Sequence, residues 1–441
     1  MKQFTALLVP LLLCAAAALF MAASPWYTTS AETIAEPNPP FSVQYPGGDA
    51  DWEDYSAWRN AVNARRDIPT HNDALAPFLQ ASVSAFLSGN GSENRVYSPL
   101  SLYTALAMLA ETTGGSTRAE ILALLGTEDV AALRQQAGDI WMANYCDDGM
   151  LTRTLAASLW LNEDIPFRQD TMTALAQHHH AAAYRGEMGS NRLNRALQDW
   201  LNSNTLGLLK EQASTIQLPA DTVLAIASTV GFKARWRSVF NENNNAVDVF
   251  HAPLSDVECT YMRKTLRTPL YWGESWQAIS LPYDQEGSML LILPDEGADV
   301  DTLLTDSACL NWITGKSVPE GRELLVNLSL PRFDVSSQLE LSAGLQAMGL
   351  TEAFDPFTAD FSPLTDAALP IRLSQVRHDA RVVIDEEGTE AAAYTVMIMA
   401  GAAMPAQVDE IDFVLNRPFL FVITGAGELP LFVGVVNHPS S

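Results

Sequence analysis

The chain has 441 residues, of which 48% are apolar, 9% aromatic and 18% charged. This composition excludes intrinsic disorder, because the apolar residues suffice to form a large core. The 26 Lys and Arg residues against 52 Asp and Glu residues give a formal net charge of −26. Such an acidic surface repels phosphate, so neither nucleic acid nor an anionic membrane surface is expected as a partner. The length alone predicts about three domains of ~150 residues each.

The first 23 residues have the pattern of an export signal. Lys2 precedes an apolar run over residues 4–23, which ends in the small residues Ala22 and Ala23. A run of this length can also span a bilayer if it is not removed. We therefore expect either a signal peptide cleaved near Ala23 or a retained membrane anchor. In both cases the protein is extracellular, secreted or tethered to the cell surface.

The cysteines beyond this segment do not form a disulfide framework. They are Cys146, Cys259 and Cys309, an odd number at wide spacing. No CxxC motif occurs, so a structural zinc site is not expected. The sequence predicts three buried free thiols and a protein that depends on its core for stability.

Residues 24–71 are expected to connect the export segment to the folded body. Residues 24–50 are rich in Pro, Ser, Thr and Gly, which is typical of an extended tether. Residues 51–66 predict a short amphipathic helix that docks on the body. Its aromatic and apolar stripe consists of Trp52, Tyr55, Trp58 and Val62.

The body from residue 72 to residue 441 begins with helices and ends with strands. Helices are predicted from Asn72, from Pro99 and from Asn194, where apolar stripes follow capping residues. Strands are predicted at later apolar runs: Val223–Phe232, Trp276–Leu281, Met289–Leu293, Leu324–Leu330, Arg381–Ile384 and Phe419–Val422. Early helices and late strands favour an α+β domain over alternating βαβ units.

No motif for catalysis or for nucleotide or metal binding is present. The chain lacks GxSxG, HExxH and GxxxxGK[ST], and its carboxylates form no clear acid–base pair. His178, His179 and His180 diverge by about 100° each on a helix, so they cannot converge on one ion. They are interpreted as a surface helix end. We expect no enzymatic activity and no cofactor.

Residues 386–407 combine the length of a functional loop with the composition of a buried strand. At period two, one face is uncharged and begins with small residues: Thr389, Ala391, Ala393, Thr395, Met397 and Met399. Gly388 supplies a hinge with permissive backbone dihedrals. One hypothesis is a molecule with two states, in which this segment slides into a sheet. A folded hairpin or an aggregation-prone loop are the alternatives.

Six segments of the chain have the character of motifs: Asn94–Leu102, Leu155–Leu161, Leu201–Gly207 with its Thr205, Phe232–Phe240, Asp385–Ala393 and Phe413–Ile423. They resemble, in the same order, segments of the serpins, the serine protease inhibitor family, which has Gly where this chain has Ala234. The resemblance covers the chain from about Asn72 to Pro439. The last two resemble the hinge of inhibitory members and the C-terminal signature. They are the most specific of the six.

The resemblance implies an α+β serpin fold with three β-sheets, eight or nine helices and an exposed reactive-centre loop. It also implies a suicide inhibitor, in which a protease cleaves the loop, forms an acyl-enzyme and is trapped when the loop inserts into the central sheet. Counting from Gly388 places the scissile bond at Ala402–Ala403. The bracketing candidates are Met399, Ala400, Gly401 and Met404. These small apolar residues favour an elastase-like or subtilisin-like serine protease.

The resemblance further assigns residues that control insertion. The hinge consists of Glu386, Gly388, Thr389, Glu390, Ala391, Ala392 and Ala393, and its small residues favour inhibition. A cluster called the shutter, beneath the opening sheet, consists of Ser98, Ser101, Ser228 and His378, with Ser228 in place of the family's Asn. Trp236 lies at the breach, where the loop enters the sheet.

The same resemblance implies a monomer that is able to form loop–sheet polymers. Heparin binding is not expected, because only Arg118 and Arg134 lie scattered after Gly115. The alternative function is a non-inhibitory serpin that acts as a carrier or as a surface interaction module.

Overall fold

The computed structural model describes residues 31–37, 42–48, 50–89, 91–389 and 409–439. Ten α-helices are found in these ranges: α1 Trp52–Arg66, α2 Asn72–Leu87, α3 Pro99–Thr112, α4 Gly115–Leu124, α5 Val130–Asn144, α6 Gln169–His178, α7 Asn191–Asn204, α8 Lys210–Ser214, α9 Ser307–Ile313 and α10 Ser342–Ala347. Most of them lie in the first half of the chain, as the apolar stripes predict.

The strands of the described residues dominate the second half. They are β1 Glu32–Ala35, β2 Arg95–Tyr97, β3 Cys146–Asp147, β4 Thr152–Asn162, β5 Ala181–Gly186, β6 Leu224–Arg235, β7 Ala246–His251, β8 Asp256–Trp272, β9 Trp276–Pro282, β10 Ser288–Pro294, β11 Gly321–Pro331, β12 Phe333–Glu340, β13 Arg377–Ile384, β14 Gly388–Thr389, β15 Glu410–Val414, β16 Phe419–Thr424 and β17 Pro430–Val436. The α+β class predicted from the sequence is confirmed.

The strands form two large sheets. The first has the order β1-β5-β4-β6-β14-β13-β12, with β3 paired to β4; the second has the order β15-β11-β8-β9-β10-β16-β17-β2, with β7 paired to β8. Three sheets were expected. The second and third are continuous here because the 17-residue strand β8 pairs with β11 over Tyr261–Tyr271, with β7 at its start and with β9 at its end.

Helix α3 joins the two sheets. Ser98 caps it by accepting a hydrogen bond from the backbone of Ser101, and Pro99 occupies its first turn, where a missing N–H costs nothing. The helix contacts β6 of the first sheet and β17 of the second. Strands β10, β16 and β17 are buried at every position, which explains why their sequences are continuous apolar runs.

Helix α7 is displaced from the predicted segment, which began at Asn194. It spans Asn191–Asn204, because Ser190 caps its start by accepting a hydrogen bond from the backbone of Leu193. It ends where Thr205 donates its hydroxyl to the carbonyl of Leu201.

The described part of the predicted tether is docked on the body. Strand β1 pairs antiparallel with β5 at the outer edge of the first sheet. Further along, the backbone N–H of Tyr45 donates to the carbonyl of Asp148 at 2.7 Å. The indole of Trp58 donates to the Asp148 carboxylate at 3.0 Å. Backbone pairing and buried contacts thus hold this segment, whereas its composition predicts a free linker.

Helix α1 has the predicted amphipathic pattern with one exception. Trp58 and Val62 are buried, Tyr55 is half-buried, and Trp52 is 79% exposed. The first turn of the helix therefore projects beyond the docking surface. None of the described helices combines the length and apolar character needed to cross a membrane. The predicted export segment, residues 1–23, lies outside the described residues.

The predicted state of the three cysteines is confirmed. Cys146, Cys259 and Cys309 are buried and free. Burial raises the pKa of each thiol, and that of Cys146 to about 12. All three therefore remain uncharged at neutral pH and act as small core residues.

The three histidines do not form a surface helix end. Helix α6 ends at His178, but His179 is 2% exposed and contacts the Glu111 carboxylate at 3.1 Å. His180 stacks on Trp141 with ring centroids 3.7 Å apart. The sequence prediction failed because the partners of these rings come from α3 and α5, far away in the chain. Among the described residues, no cluster of His, Cys, Asp and Glu could hold a metal ion.

Candidate functional site

The candidate site lies between β6 and β13 of the first sheet. The two strands share no ladder within the described part of the chain, and only the short strand β14 lies between them. Its Thr389 is opposite Ala234 on one side and Ile384 on the other. Strand β6 has 12 residues, whereas β14 has two. The remaining gap between β6 and β13 is called the slot below.

A tight turn brings the chain from β13 back into the slot. The carboxylate of Asp385 accepts hydrogen bonds from the backbone N–H groups of Glu387 and Gly388, at 2.9 and 3.1 Å. The backbone N–H of Asp385 donates to the carbonyl of Gly388 at 3.1 Å. An Asx-type turn therefore fixes the direction in which the chain enters the slot.

The close approach of β6 leaves no room for a side chain at Gly388. A Cβ atom at this position would lie 2.1 Å from the carbonyl oxygen of Ala234, which is an immovable backbone atom. Its φ is not in the left-handed region. In this structure the glycine is explained by its close approach to β6 and not by a left-handed φ, and its role as a hinge stays a prediction.

Trp236 anchors the turn from the end of β6. Its indole N–H donates to the carbonyl of Asp385 at 3.0 Å, and its backbone N–H donates to the carbonyl of Glu387 at 2.8 Å. The side chain is 2% exposed. It also stacks flat on Tyr283, with ring centroids 4.8 Å apart and an interplanar angle of 7°. The residue predicted for the breach thus lies at the entrance of the slot.

Glu386 is a buried carboxylate in the same turn, with 5% of its surface exposed. Its Oε1 accepts hydrogen bonds from Nε of Arg332 at 2.6 Å and from Nδ2 of Asn245 at 2.5 Å. Its backbone carbonyl accepts from the N–H of Phe240 at 2.9 Å. A charge-assisted pair in a partly dry site is stronger than an exposed one, so Glu386 ties the turn to two other parts of the fold.

The four residues predicted for the shutter are brought together lower in the slot. The Ser101 hydroxyl donates to the Ser228 carbonyl at 2.9 Å and lies 3.4 Å from the Ser228 hydroxyl. The backbone N–H of Ser98 donates to Nε2 of His378 at 3.0 Å. A cavity of about 20 Å³, lined by Ser98, Ser101, Thr229 and His378 among others, has room for about one water molecule.

His378 is neutral in this cluster. Burial lowers the pKa of its imidazole to about 4, since no carboxylate compensates the desolvation of the charged form. Neutral Nε2 can then accept the Ser98 N–H, and the ring edge packs on Tyr97 at a centroid distance of 5.2 Å. The histidine is a structural hydrogen-bond acceptor that links β13 to the start of α3.

Several predicted site residues lie outside the described residues. They are the scissile residues Ala402 and Ala403, the bracket Met399, Ala400, Gly401 and Met404, and the hinge residues Glu390, Ala391, Ala392 and Ala393. The chain is described again from residue 409, and β15 then pairs parallel with β11. The two ends of the loop are therefore fixed on different sheets.

The arginines predicted near a polysaccharide site lie on different helices. Arg118 on α4 donates to the carbonyl of Ala110 at 2.9 Å. Arg134 belongs to α5 and binds both oxygens of Glu111, at 2.7 and 2.8 Å. Burial alone would raise the pKa of Glu111, but hydrogen bonds from Arg134 and His179 hold this pKa at about 2. The positive charge of Arg134 is therefore paired with the Glu111 carboxylate.

Comparisons with known proteins agree with this geometry. Residues 76–439 match the family model described as serpin, serine protease inhibitor. Serpin-Z4 of Hordeum vulgare is 28% identical over 395 residues, covering 86% of this chain and 98% of the relative. Serpin-Z1C of Triticum aestivum is 28% identical over 394 residues, with the same coverage.

Solved structures show the same fold. Tengpin, a thermophilic serpin in its native state, superposes with a TM-score of 0.73 at 24% identity, covering 92% of this chain and 99% of tengpin. Thyroxine-binding globulin in complex with thyroxine superposes with a TM-score of 0.70 at 21% identity, covering 84% and 99% of the two chains. The predicted serpin fold is confirmed, and the chain belongs to the serpin family of serine protease inhibitors.

Proposed function

We propose that this serpin is a suicide inhibitor of serine proteases whose cleaved loop continues strand β14 down the slot. The observation that carries the proposal is the seated pair Gly388–Thr389, because the first two residues of the new strand already lie between β6 and β13. At a period of two, the residues that follow on the face of Thr389 are uncharged, and the first of them, Ala391 and Ala393, are small. The protein acts as a protease substrate that traps its enzyme, and it has no catalytic activity or cofactor of its own.

The register of β14 supports the predicted scissile bond. If the antiparallel ladder from Thr389 and Ala234 continues without a bulge, residues 390–399 pair with residues 233–224. Residues 388–399 then match all 12 residues of β6. Ala402, which would carry the acyl-enzyme, follows three positions later. The inserted residues would thus fill the slot along the whole of β6 before the residue that carries the protease.

The inward side chains of this register also fit. Position 391 falls opposite Phe232 and Val382, and position 393 opposite Val230 and Ala380, all of which are buried. Thr395 reaches the level of Ser228 and His378. We infer that the shutter residues exchange their present contacts for this threonine when the loop inserts, and that the hinge and breach residues control the first step.

The target proposed for this loop is an elastase-like or subtilisin-like protease. Residues 386–407 contain no Arg or Lys, and small apolar residues surround Ala402–Ala403. A pocket that requires a basic side chain would find none, whereas a small apolar pocket can accept alanine.

The remaining organisation is proposed from the sequence. Residues 1–23 export the chain or anchor it, so the inhibitor is secreted or held at the cell surface. Residues 24–71 precede a single serpin domain that reaches residue 441. Loop–sheet polymers are a second assembly of the same segments; a loop C-sheet polymer of another serpin superposes on this chain with a TM-score of 0.69 at 23% identity.

The experiment is incubation with elastase, subtilisin and trypsin, followed by denaturing electrophoresis. The expected result is a covalent complex with elastase or subtilisin and none with trypsin. Ala402→Arg is expected to transfer complex formation to trypsin. Gln407→Arg, in the same loop but outside both the hinge and the scissile bracket, is the matched control and is expected to form no complex with trypsin. A stable complex with trypsin alone would contradict the proposed target class.

The alternative is a non-inhibitory serpin that acts as a carrier or a surface module. Thyroxine-binding globulin, one of the structural neighbours, shows that the fold can hold a ligand. Cleavage of the loop by every protease, without any covalent complex and without a gain in melting temperature, would favour this alternative.

A further inference from the structure

Tyr283 lies directly after β9, and its side chain meets the hinge inside the first sheet. Its hydroxyl shares a hydrogen bond of 2.6 Å with Oγ1 of Thr389. Tyr283 is completely buried and Thr389 is 3% exposed, so water does not compete for either hydroxyl. Burial raises the pKa of Tyr283 far above its usual range. The phenol therefore keeps its proton at neutral pH.

The position of this hydroxyl is fixed before the loop arrives. The Tyr283 ring stacks on Trp236 and meets Phe232 edge-on at a centroid distance of 5.2 Å. Its backbone N–H donates to the carbonyl of Gly287 at 3.1 Å, and it forms an isolated bridge with Trp236. A ring held by two aromatic neighbours and by its backbone presents its hydroxyl in one place.

We propose that Tyr283 is a positioning residue for inhibition: its hydroxyl holds Thr389 in the slot, so that insertion of the loop begins from a seated hinge. The inference rests on the proposed function, because it assigns a role within loop insertion. Thr389 is the first inward-facing residue of the expected new strand. Its register relative to β6 and β13 sets the register of every residue that follows.

Loss of either hydroxyl leaves the other one buried without a partner. Such an orphan typically costs about tenfold in an equilibrium constant. The hinge then shifts toward a state in which Thr389 leaves the sheet for water. Before the loop can insert, Thr389 must return to the sheet and lose its water. Insertion is therefore slower, and a larger fraction of the acyl-enzyme is hydrolysed before the protease is trapped. More inhibitor molecules are consumed for each protease that is captured.

The test compares Tyr283→Phe, Thr389→Val, Thr389→Ser and the double variant Tyr283→Phe/Thr389→Val. Hydrogen–deuterium exchange of the peptide covering Asp385–Thr389 measures whether the hinge is seated. Titration of elastase or subtilisin measures the number of inhibitors consumed per protease. Tyr283→Phe and Thr389→Val are each expected to raise exchange about tenfold and to increase consumption. Thr389→Ser keeps the hydroxyl and is expected to behave like the wild type.

The double variant and a control tyrosine distinguish loss of the hydrogen bond from a change in side-chain packing. Because the double variant leaves no orphaned hydroxyl, its effect is expected to be smaller than the sum of the two single effects. Tyr271→Phe is the control, since that ring packs on Trp312 away from the hinge, and no change is expected. Unchanged exchange in Tyr283→Phe, additive single effects, or a Thr389→Ser variant resembling Thr389→Val would overturn the inference. If the wild type traps no protease, the proposed function fails, while the exchange experiment still decides whether Tyr283 seats the hinge.

Discussion

At the scale of single residues, the entrance of the slot depends on buried polar groups that have few other hydrogen-bond partners. Glu386 is buried and held by Arg332 and Asn245. Removing one partner of a buried charge costs much more than an exposed ion pair contributes, because the remaining charge is left in a dry site. The turn that seats β14 is therefore sensitive to a single substitution.

We expect Glu386→Lys to release the turn, because it places a second cation beside Arg332. The expected loss of stability is about 3 kcal/mol, together with more oligomer on a native gel. Urea unfolding provides the first measurement. Glu258→Lys, at an exposed position of β8, makes the same change of charge and is expected to leave both properties unchanged. Equal effects of the two variants would mean that net charge, not the buried pair, matters.

His378 makes stability depend on pH. Its folded-state pKa of about 4 lies below the ordinary value of 6.5, so the unfolded chain binds a proton that the native chain excludes. Stability is therefore lost as the pH falls from about 6.5 toward 4. The linkage amounts to about 2 kcal/mol between pH 7 and pH 5. His378→Gln is expected to lose less stability over this interval. Burial also lowers the pKa of His180 to about 4, so the contribution of His180 to the pH dependence remains in the variant. A pH dependence equal to that of the wild type would contradict the role of His378.

The residues of this site differ in how visible they are in the sequence. The small hinge residues, the shutter residues and Trp236 follow from local motifs and the resemblance they carry. Tyr283, Arg332 and Asn245 were missed, because they lie 106, 54 and 141 residues from their hinge partners. No local pattern links positions so far apart. A tyrosine beside a predicted strand end is by itself unremarkable.

At the scale of elements, the two faces of the expected new strand differ in what they tolerate. If the register of β14 continues, position 393 would face the core between Val230 and Ala380, whereas position 392 would face the opposite side of the sheet. Ala393→Asp is expected to abolish the gain in melting temperature that follows loop cleavage, since it would bury a charge without a partner. Ala392→Asp is the matched control and is expected to retain most of this gain. Calorimetry before and after cleavage measures the difference, and equal losses would mean a different register.

Long elements were predictable and short ones were not. Buried runs such as β10 and β16 have the composition of strands covered on both faces, and their prediction is confirmed. Strands β1 and β14, with four and two residues, are too short to show a period. The pairing partners that create them lie elsewhere in the chain. The joining of two expected sheets through β8 was missed for the same reason, since it depends on tertiary pairing along one long strand.

At the scale of the whole molecule, the negative net charge is expected to affect how fast the inhibitor meets its target protease. A net charge of −26 attracts a cationic protease over distances beyond direct contact. We expect the rate of complex formation with a cationic elastase to fall as salt is added, because screening shortens the range of this attraction. Stopped-flow measurements over a series of NaCl concentrations test this expectation. Subtilisin of lower positive charge is the control, and an equal salt dependence for both proteases would exclude steering by net charge.

The pairing of β1 with β5 has a consequence for the order of folding. Thr33 lies opposite Tyr184, so about 150 residues must be made before this first strand finds its partner. During that time β1 itself has unpaired backbone groups, and such groups are a template for association with other chains. Pairing between segments so far apart in the chain forms slowly, so β1 stays open to such association until β5 is in place and their pairing completes the outer edge of the first sheet.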